Sequence, residues 1–224
     1  MYHIKCSKKD IAERVIVCGD PARTKRIAEY LDNSKIVNEN RCLLTFTGEY
    51  KGVKITASTT GMGAPSAAIV MEELASLGVK FVIRVGTTGG VNIDIGDIVI
   101  PTISIPLDGT TLAYSKRYSL DTHADEEMIE LLKKNLKNCK LHIGPICTCD
   151  TFYLDERVEG VLSYDMESSI IFALGRIRGY RAAAVLTVNG KAFEGERIIE
   201  NETVKNSLEK CINAALETLA FMKN

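Results

Sequence analysis

The stretch that decides the fold is "VIRVGTTGGVNIDIGDIVIP", residues 82–101. An apolar segment, a run of glycine and threonine, and a second apolar segment are typical of a strand, a turn and another strand. Arg84 follows two residues that should be buried, where an unpaired charge is strongly unfavourable, so we expect it to meet a negative partner. A small anion would find donors close by, in the backbone N–H groups and hydroxyls of Gly86, Thr87, Thr88, Gly89 and Gly90.

Outward from this stretch, strands and helices mix along the whole chain. The patterns predict strands over residues 14–18, 43–50, 53–59, 80–85, 97–105, 141–149 and 180–188. They predict helices from residue 21 and over 64–77, 124–138, 163–177 and 202–222. Without a linker or a shift in composition, the sequence favours one domain, residues 1–224, with a three-layer α/β/α fold around a mixed central sheet. Glycine turns after three strands, at Gly19, Gly61 and Gly86, indicate a site at the strand ends.

Composition excludes several classes of protein. The chain has 224 residues, 46% hydrophobic and 25% charged, which is ordinary for a globular protein and argues against disorder. A formal charge of −1 without a basic block argues against a nucleic-acid partner. We expect no membrane span and no signal peptide, and hence a cytoplasmic protein. Seven cysteines without a Cys-x-x-Cys pair, and only three histidines, indicate buried thiols rather than a zinc site.

Three arginines stand beside predicted element ends. Arg23 follows Gly19 at the start of a helix, Arg84 ends a strand, and Arg41 precedes another strand. Each alone is compatible with a surface salt bridge. Together, beside glycine turns and a helix N-terminus, they favour an oxyanion, and phosphate suits bidentate guanidinium binding.

Two further motifs are compatible with a sugar and a flat ring. In "YDMES", Asp165 and Glu167 either complement a helix dipole or bind sugar hydroxyls, and Met166 between them can pack on a sugar ring. In "DTFY", Phe152 and Tyr153 belong either to the core or to one wall of a pocket for a planar ligand.

Five motifs in this order, "GDPAR", "TGMGAPS", "RVGTTGG", "DTFY" and "YDMES", resemble the nucleoside phosphorylase-I family of purine and uridine phosphorylases. The resemblance spans nearly the whole chain, and "GTTGG" and "PLDGTTL" look most like the uridine branch. It implies a nucleoside phosphorylase-like fold and a homo-oligomer, dimeric or hexameric, with an active site shared across a dimer interface.

The resemblance also implies roles for individual residues. The phosphate-binding set would be Gly19, Arg23, Arg84 and Thr87, with Arg41 supplied by the adjoining subunit. The ribose-binding set would be Met62, Asp165, Met166 and Glu167, with His3 reaching the 5′-hydroxyl across the interface. The base-binding set would be Thr88, Gly89, Phe152, Tyr153, Arg157 and Asn189. The catalytic residues would be Arg84, Glu167 and Asn189.

The sequence departs from the family at four places. Asp155 stands where uridine phosphorylases carry a glutamine, and the segment between Arg157 and Tyr164 is short. Asp165 stands where glutamate is usual. Cys42 stands where some bacterial uridine enzymes have a glutamate that helps bind potassium, so we expect no metal.

The resemblance implies phosphate-dependent cleavage of uridine to uracil and ribose 1-phosphate, with inorganic phosphate as co-substrate and no cofactor. Family members that act on adenine nucleosides typically have an aspartate where this chain has Asn189. An amide cannot protonate a purine N7, but it can hydrogen-bond a 6-oxopurine. A purine nucleoside phosphorylase acting on inosine, guanosine or a methylthioadenosine-type substrate is therefore the alternative. A nucleosidase would have no use for three phosphate-facing arginines, and a non-catalytic nucleoside-binding protein is a further alternative.

Overall fold

The computed structural model describes residues 1–193 and 198–223. The strands are β1 Arg14–Cys18, β2 Asp32–Asn38, β3 Thr45–Tyr50, β4 Val53–Thr59, β5 Phe81–Gly90, β6 Ile98–Pro106, β7 Leu141–Thr148, β8 Ser163–Asp165 and β9 Arg181–Lys191. The helices are α1 Pro21–Ala28, α2 Ala64–Ser76, α3 Gly109–Ser115, α4 Glu126–Asn135, α5 Ser168–Arg178 and α6 Glu202–Phe221, and a 3₁₀ turn spans Asn40–Cys42.

All described strands belong to one mixed sheet in the order β2-β3-β4-β1-β5-β8-β7-β6-β9, with β5 also paired to β9. Strands β4, β1, β5 and β9 run parallel as neighbours, whereas β3 is antiparallel to both β2 and β4. Because β9 pairs with both β5 and β6, the strands β5, β8, β7, β6 and β9 close into a ring. The predicted mixed sheet is confirmed.

The register brings the carboxyl ends of the parallel strands to one edge. Val17 of β1 lies opposite Arg84 of β5, and Arg84 lies opposite Ala184 of β9. Cys18 pairs with Thr59 at the end of β4. Since ligands in such sheets bind outside the carboxyl ends of the strands, this edge positions the candidate site.

Two groups of helices cover the sheet. Helices α2, α3 and α5 pack on one another, and α4 packs on α6, which crosses β9, β5 and β1. The first eight residues of α5, Ser168–Gly175, are buried, so this helix lies inside the protein rather than at its surface. The result is the predicted three-layer arrangement.

The glycine and threonine run after Arg84 was predicted as a turn, and that prediction is wrong. Strand β5 continues through Gly90, because it pairs with β9 along the whole length of Phe81–Gly90 and with β8 at its end. Glycine is needed there for close packing, not for turning. A Cβ at Gly86 would lie 2.9 Å from the Arg84 guanidinium carbon, and one at Gly90 would lie 2.9 Å from a methyl of Val188.

The helix predicted from residue 163 begins only at Ser168, because Ser163–Asp165 form the short strand β8. Tyr164 is held between Gly89 of β5 and Cys147 of β7 by backbone pairing. Strand β2, helix α3 and the 3₁₀ turn were not predicted either. Strand β2 is mostly exposed and, among the described strands, pairs with β3 alone, so it lacks apolar alternation. The short helix α3 is capped by the Asp108 side chain.

Candidate active site

A cavity of about 750 Å³ opens at the edge where β1, β5 and β9 end. Its walls come from those strand ends, from the segment after β7 and from the junction between β8 and α5. Thirteen residues that the sequence assigned to substrate line it: Gly19, Arg23, Met62, Arg84, Thr87, Thr88, Gly89, Phe152, Tyr153, Asp165, Met166, Glu167 and Asn189. The residues predicted from distant parts of the chain therefore meet at one cavity.

Arg84 already has negative partners within its own chain. The side chain is only 4% exposed, its Nε donates to Asp165 Oδ2 at 3.0 Å, and its Nη2 lies 2.5 Å from Glu167 Oε2. The sequence interpretation was that substrate phosphate is the partner that makes this buried charge tolerable. The structure corrects it, because the guanidinium is paired with two buried carboxylates of its own chain.

Burial and neighbouring charges shift the pKa values of Arg84 and Glu167. Burial acts to lower the pKa of Arg84, but Glu167 and Asp165 more than reverse this and raise it. Burial raises the pKa of the Glu167 carboxyl; Arg84 opposes that shift and the neighbouring Asp165 adds to it. Glu167 Oε1 also accepts from the backbone N–H of Gly63 at 2.7 Å, just before α2.

The carboxylate of Asp165 is occupied by donors from the protein. Thr148 Oγ1 donates to it at 2.6 Å, Ser168 donates through its hydroxyl at 2.5 Å and its backbone N–H at 3.1 Å, and Arg84 Nε donates as well. Its side chain is 0% exposed. Although Asp165 was assigned to ribose together with Glu167, its oxygens bind the protein rather than face open space.

Arg23 supplies a second cation at the same end of the cavity. It stands in the first turn of α1, whose N-terminus is capped by the Asp20 side chain through the N–H of Ala22. Its Nη1 donates weakly to the Val85 carbonyl at 3.4 Å. Its Nε is buried and has no hydrogen-bond partner within residues 1–193 and 198–223. A buried donor without a partner is unfavourable, so this guanidinium suits an anion in the cavity.

Aromatic side chains also line the cavity. Phe152 and Tyr153 meet edge to face at 5.1 Å, and Tyr164 and Phe193 do so at 4.9 Å. Asn189 stands near the end of β9, two positions before Lys191, and also lines the cavity. Such a wall suits a planar ring.

Several lining residues were missed by sequence reasoning, among them Cys149, Tyr164, Phe193 and Ile198. Phe193 lies only four residues beyond Asn189, where the strand pattern ends, and a single aromatic in a loop gives no periodic signal. Cys149 was expected to be a buried thiol and is half-buried along the cavity wall.

Three predicted residues do not line the cavity of a single chain: His3, Arg41 and Arg157. The Arg157 guanidinium lies 4.7 Å above the Phe193 ring and the side chain is exposed. His3 Nδ1 lies 2.9 Å from Glu73 Oε1 on α2, and Arg41 is exposed in the 3₁₀ turn with φ 55°. His3 and Arg41 were predicted to serve the site of an adjoining subunit, so their positions outside the chain's own cavity agree with that expectation without testing it.

Within the described ranges, no three His, Cys, Asp or Glu side chains come together as a set that could hold a metal ion. None of the helices in those ranges is both long enough and apolar enough to cross a membrane.

The family is settled by comparison with known proteins. The family model described as "Phosphorylase superfamily" matches residues 13–220, and the chain belongs to this superfamily. The nucleoside phosphorylase resemblance drawn from the five motifs is thereby confirmed, as are the fold and the expectation of a pentosyl-transferring enzyme.

Relatives of comparable similarity differ in the nucleoside for which they are named. The chain is 34% identical to the guanosine phosphorylase of Halorubrum lacusprofundi, with 98% of each chain covered. It is also 34% identical to the uridine phosphorylase of Thermococcus kodakarensis, over 91% of this chain and 85% of the relative. The crystal structure of uridine phosphorylase from Vibrio fischeri, complexed with 6-hydroxy-1-naphthoic acid, superposes with a TM-score of 0.89 at 34% identity, covering 98% and 96% of the two chains.

Proposed function

We propose that this enzyme cleaves the N-glycosidic bond of uridine with inorganic phosphate, giving uracil and ribose 1-phosphate. The observation that carries the proposal is that one cavity is lined by the guanidinium groups of Arg23 and Arg84, by the Glu167 carboxyl and by aromatic side chains. These three kinds of group suit the three parts that react, which are phosphate, sugar and base.

The phosphate-binding part of the site is supported by Arg23 and Arg84, and Thr87 also lines the cavity. Arg23 offers an unpaired buried Nε, and Arg84 keeps further N–H groups beyond those engaged by its two carboxylates. Guanidinium groups bind phosphate bidentately, so these two residues define where the attacking anion lies.

The charge balance at this end favours a contribution from a second subunit. With both carboxylates ionised, the positive charges of Arg23 and Arg84 are balanced by Asp165 and Glu167. A phosphate dianion would then meet a site without net positive charge. We propose a homo-oligomer in which the exposed Arg41 of an adjoining subunit supplies the missing cation, with His3 at the same interface.

The chemistry places Glu167 at the sugar. A phosphate oxygen attacks C1′ while the bond from C1′ to the base nitrogen breaks, and the bonding electron pair leaves with the base, which then takes a proton. The transition state is positive at the sugar, and the bound phosphate and the Glu167 carboxylate stabilise that charge. Holding both reactants in line supplies much of the rate without a covalent intermediate.

The proposal that uridine is the substrate depends on the residues that would contact the base. Uracil leaves through N1 with its charge spread over two carbonyl oxygens, so it needs hydrogen-bond donors rather than an acid. Asn189 on β9 presents an amide on the cavity wall, and an amide cannot protonate a purine N7. This supports uracil over adenine as the leaving group.

A 6-oxopurine nucleoside is the second candidate, and a specific observation favours it. Arg157, which was assigned to the uracil carbonyl edge, lies outside the cavity lining on the Phe193 ring. The amide of Asn189 could instead hydrogen-bond N7 and O6 of a 6-oxopurine. One of the relatives is named a guanosine phosphorylase.

The test is a panel of uridine, inosine, guanosine, adenosine and methylthioadenosine at saturating phosphate, with release of free base followed in each case. The proposal predicts the highest kcat/KM for uridine and little release from adenosine. A kcat/KM for inosine or guanosine ten times that for uridine would identify a 6-oxopurine nucleoside as the preferred substrate. The proposal of a phosphorylase would still stand. Release of no base from any nucleoside would favour a non-catalytic binding protein.

A further inference from the structure

The carboxylate of Asp165 lies at the centre of a buried hydrogen-bond network that ends on Arg84. It accepts from Arg84 Nε, Thr148 Oγ1 and both donors of Ser168 at 3.3 Å or less. A carboxylate offers about four acceptor positions, so these donors fill it. A sugar hydroxyl would have to displace a protein donor in order to bind.

The network continues beyond Asp165 into the core. Thr148 Oγ1 lies 2.7 Å from the hydroxyl of Ser104 and accepts from the backbone N–H of Ser169 at 3.0 Å. Since a hydroxyl donates one hydrogen bond and accepts two, Thr148 is satisfied when its proton points to Asp165. Ser104, Thr148 and Ser168 are fully buried, so the position of the carboxylate is fixed on the side away from Arg84.

The charge of Asp165 makes its position unexpected. A negative group next to an anion site repels the anion and opposes phosphate binding. Glu167, which also pairs with Arg84, is assigned to the ribose, but Asp165 has no exposed atoms in its side chain with which to reach substrate. Its contribution must therefore act through the group that it holds.

We propose that Asp165 is a positioning residue that orients the Arg84 guanidinium for phosphate. Asp165 holds the Nε edge at 3.0 Å and Glu167 holds Nη2 at 2.5 Å, so the plane of the guanidinium is fixed at two of its edges. The remaining N–H groups are then held in one orientation before phosphate arrives. This inference rests on the proposed phosphorolysis, and it gives Asp165 a role different from the ribose contact implied by the family resemblance.

The decisive experiment measures the affinity for inorganic phosphate without turnover, by calorimetry or by the phosphate-dependent rise in Tm. Asp165→Asn keeps the shape but places an NH₂ group among donors, so at least one donor loses its acceptor. We expect phosphate affinity to fall by about tenfold or more. The KM for nucleoside and the preference for ribose over 2′-deoxyribose should remain within about twofold of the wild type.

Two serines provide a matched pair in case Asp165→Asn does not fold. The hydroxyls of Ser168 and Ser169 each donate to a buried carboxylate at 2.5 Å, to Asp165 and Asp108 respectively. Ser168→Ala should weaken phosphate binding, and Ser169→Ala should leave it unchanged. The pair separates an effect on Arg84 from a general loss of packing at the start of α5.

Three results would overturn the inference. Phosphate affinity equal to or tighter than wild type in Asp165→Asn would show that only the repulsion by its charge matters. A fall in ribose preference with unchanged phosphate affinity would make Asp165 a ribose ligand. Unchanged phosphate affinity in Ser168→Ala would show that the hydrogen-bond network around Asp165 does not affect phosphate binding. If the wild type binds phosphate but releases no base, the proposed function fails while these affinities still decide the role of Asp165.

Discussion

The guanidinium of Arg84 and the carboxylate of Glu167 form a buried ion pair, with 2.5 Å between Nη2 and Oε2. The residue assigned to phosphate thus contacts the residue assigned to ribose. Both side chains are less than a tenth exposed, so their attraction is screened little by water. Substrate binding must therefore share or rearrange this pair, and activity and stability should respond together when it is altered.

Arg84→Ala should reduce both activity and stability. It removes a charge-assisted phosphate contact worth about 2–4 kcal/mol, so kcat/KM should fall by about 10² or more. It also leaves Asp165 and Glu167 buried without their cation, which should lower the free energy of unfolding by about 3–5 kcal/mol. Enzyme assays and urea unfolding measure the two effects separately.

Arg23→Ala is the matched control, because within residues 1–193 and 198–223 the Arg23 guanidinium makes a single weak hydrogen bond, to the Val85 carbonyl. It should lower activity while leaving the free energy of unfolding nearly unchanged. If Arg84→Ala retained wild-type phosphorolysis, Arg84 would not be a phosphate-binding residue.

Glu167→Gln should reduce kcat/KM by a factor comparable to Arg84→Ala while the fold remains intact. Burial raises the pKa of Glu167, so the folded state binds this proton more tightly than the unfolded state does. Stability from this group is therefore present below its ordinary pKa and is lost as pH rises through the raised value. As pH rises above 4.5, the wild type should lose more stability than Glu167→Gln, in unfolding measured as a function of pH.

Glu159→Gln is the control for that profile, since Glu159 is exposed and outside the cavity lining. The free energy of unfolding of Glu159→Gln should change with pH as that of the wild type does. If Glu167→Gln unfolds the protein and its folded fraction stays active, the carboxylate serves the fold rather than the ribose.

Glu73 should hold the N-terminal residues in place, and its effect should depend on pH in the opposite direction. Burial acts to raise the pKa of Glu73, but hydrogen bonds from Ile4, His3 and Tyr2 bring it to about 2 from its ordinary 4.5. Its contribution to stability is present above pH 4.5 and is lost as pH falls towards 2. The stability difference between wild type and Glu73→Gln should shrink over that interval.

Glu130→Gln controls for the loss of a carboxylate, because Glu130 is exposed and, in the part of the chain that the structure describes, forms an ion pair with Lys133 one turn away and with no other residue. If the N-terminal segment serves an adjoining subunit through His3, Glu73→Gln should also reduce activity at neutral pH, and Glu130→Gln should not. Equal activity of the two variants would show that His3 does not serve the active site of an adjoining subunit.

The shared site can be tested by mixing subunits. Arg41→Ala and Glu167→Gln chains should each be nearly inactive, and a mixed dimer should regain one complete site, with Glu167 from one chain and Arg41 from the other. An equal, fully exchanged mixture should recover about one quarter of wild-type activity if dimers form at random. Subunit exchange is followed with differently tagged chains, and no recovery after confirmed exchange would place Arg41 outside the site.

The sequence predicts the helices and strands of this protein better than it predicts contacts between residues that are distant along the chain. Strand β1 and the hairpin of β3 and β4 follow from short apolar runs and a Lys51-Gly52 turn, which are local signals. The extension of β5 through Gly90 could not be predicted, because it depends on pairing with β9, about a hundred residues further along the chain. Composition at Gly86–Gly90 indicates a turn unless that partner is known.

The same limit applies within the site. Arg84 was correctly expected to need a negative partner, and the motifs placed Asp165 and Glu167 near it, but the sequence did not show that the three touch. Thr148 belongs to none of the motifs, and Ser168 ends the YDMES motif without an assigned role, so the network around Asp165 was not predicted. Phe193 and Arg157 meet through loop geometry, which a pattern of residues does not encode.

The central claim is that phosphate is the attacking group, and product analysis tests it most directly. Purified enzyme is incubated with uridine, or with the best nucleoside of the panel, and both sugar products and free base are quantified by ³¹P and ¹H NMR. The proposal predicts ribose 1-phosphate equal in amount to the free base, and negligible release when phosphate is omitted. Base release without phosphate, with free ribose as the sugar product, would show hydrolysis and contradict it.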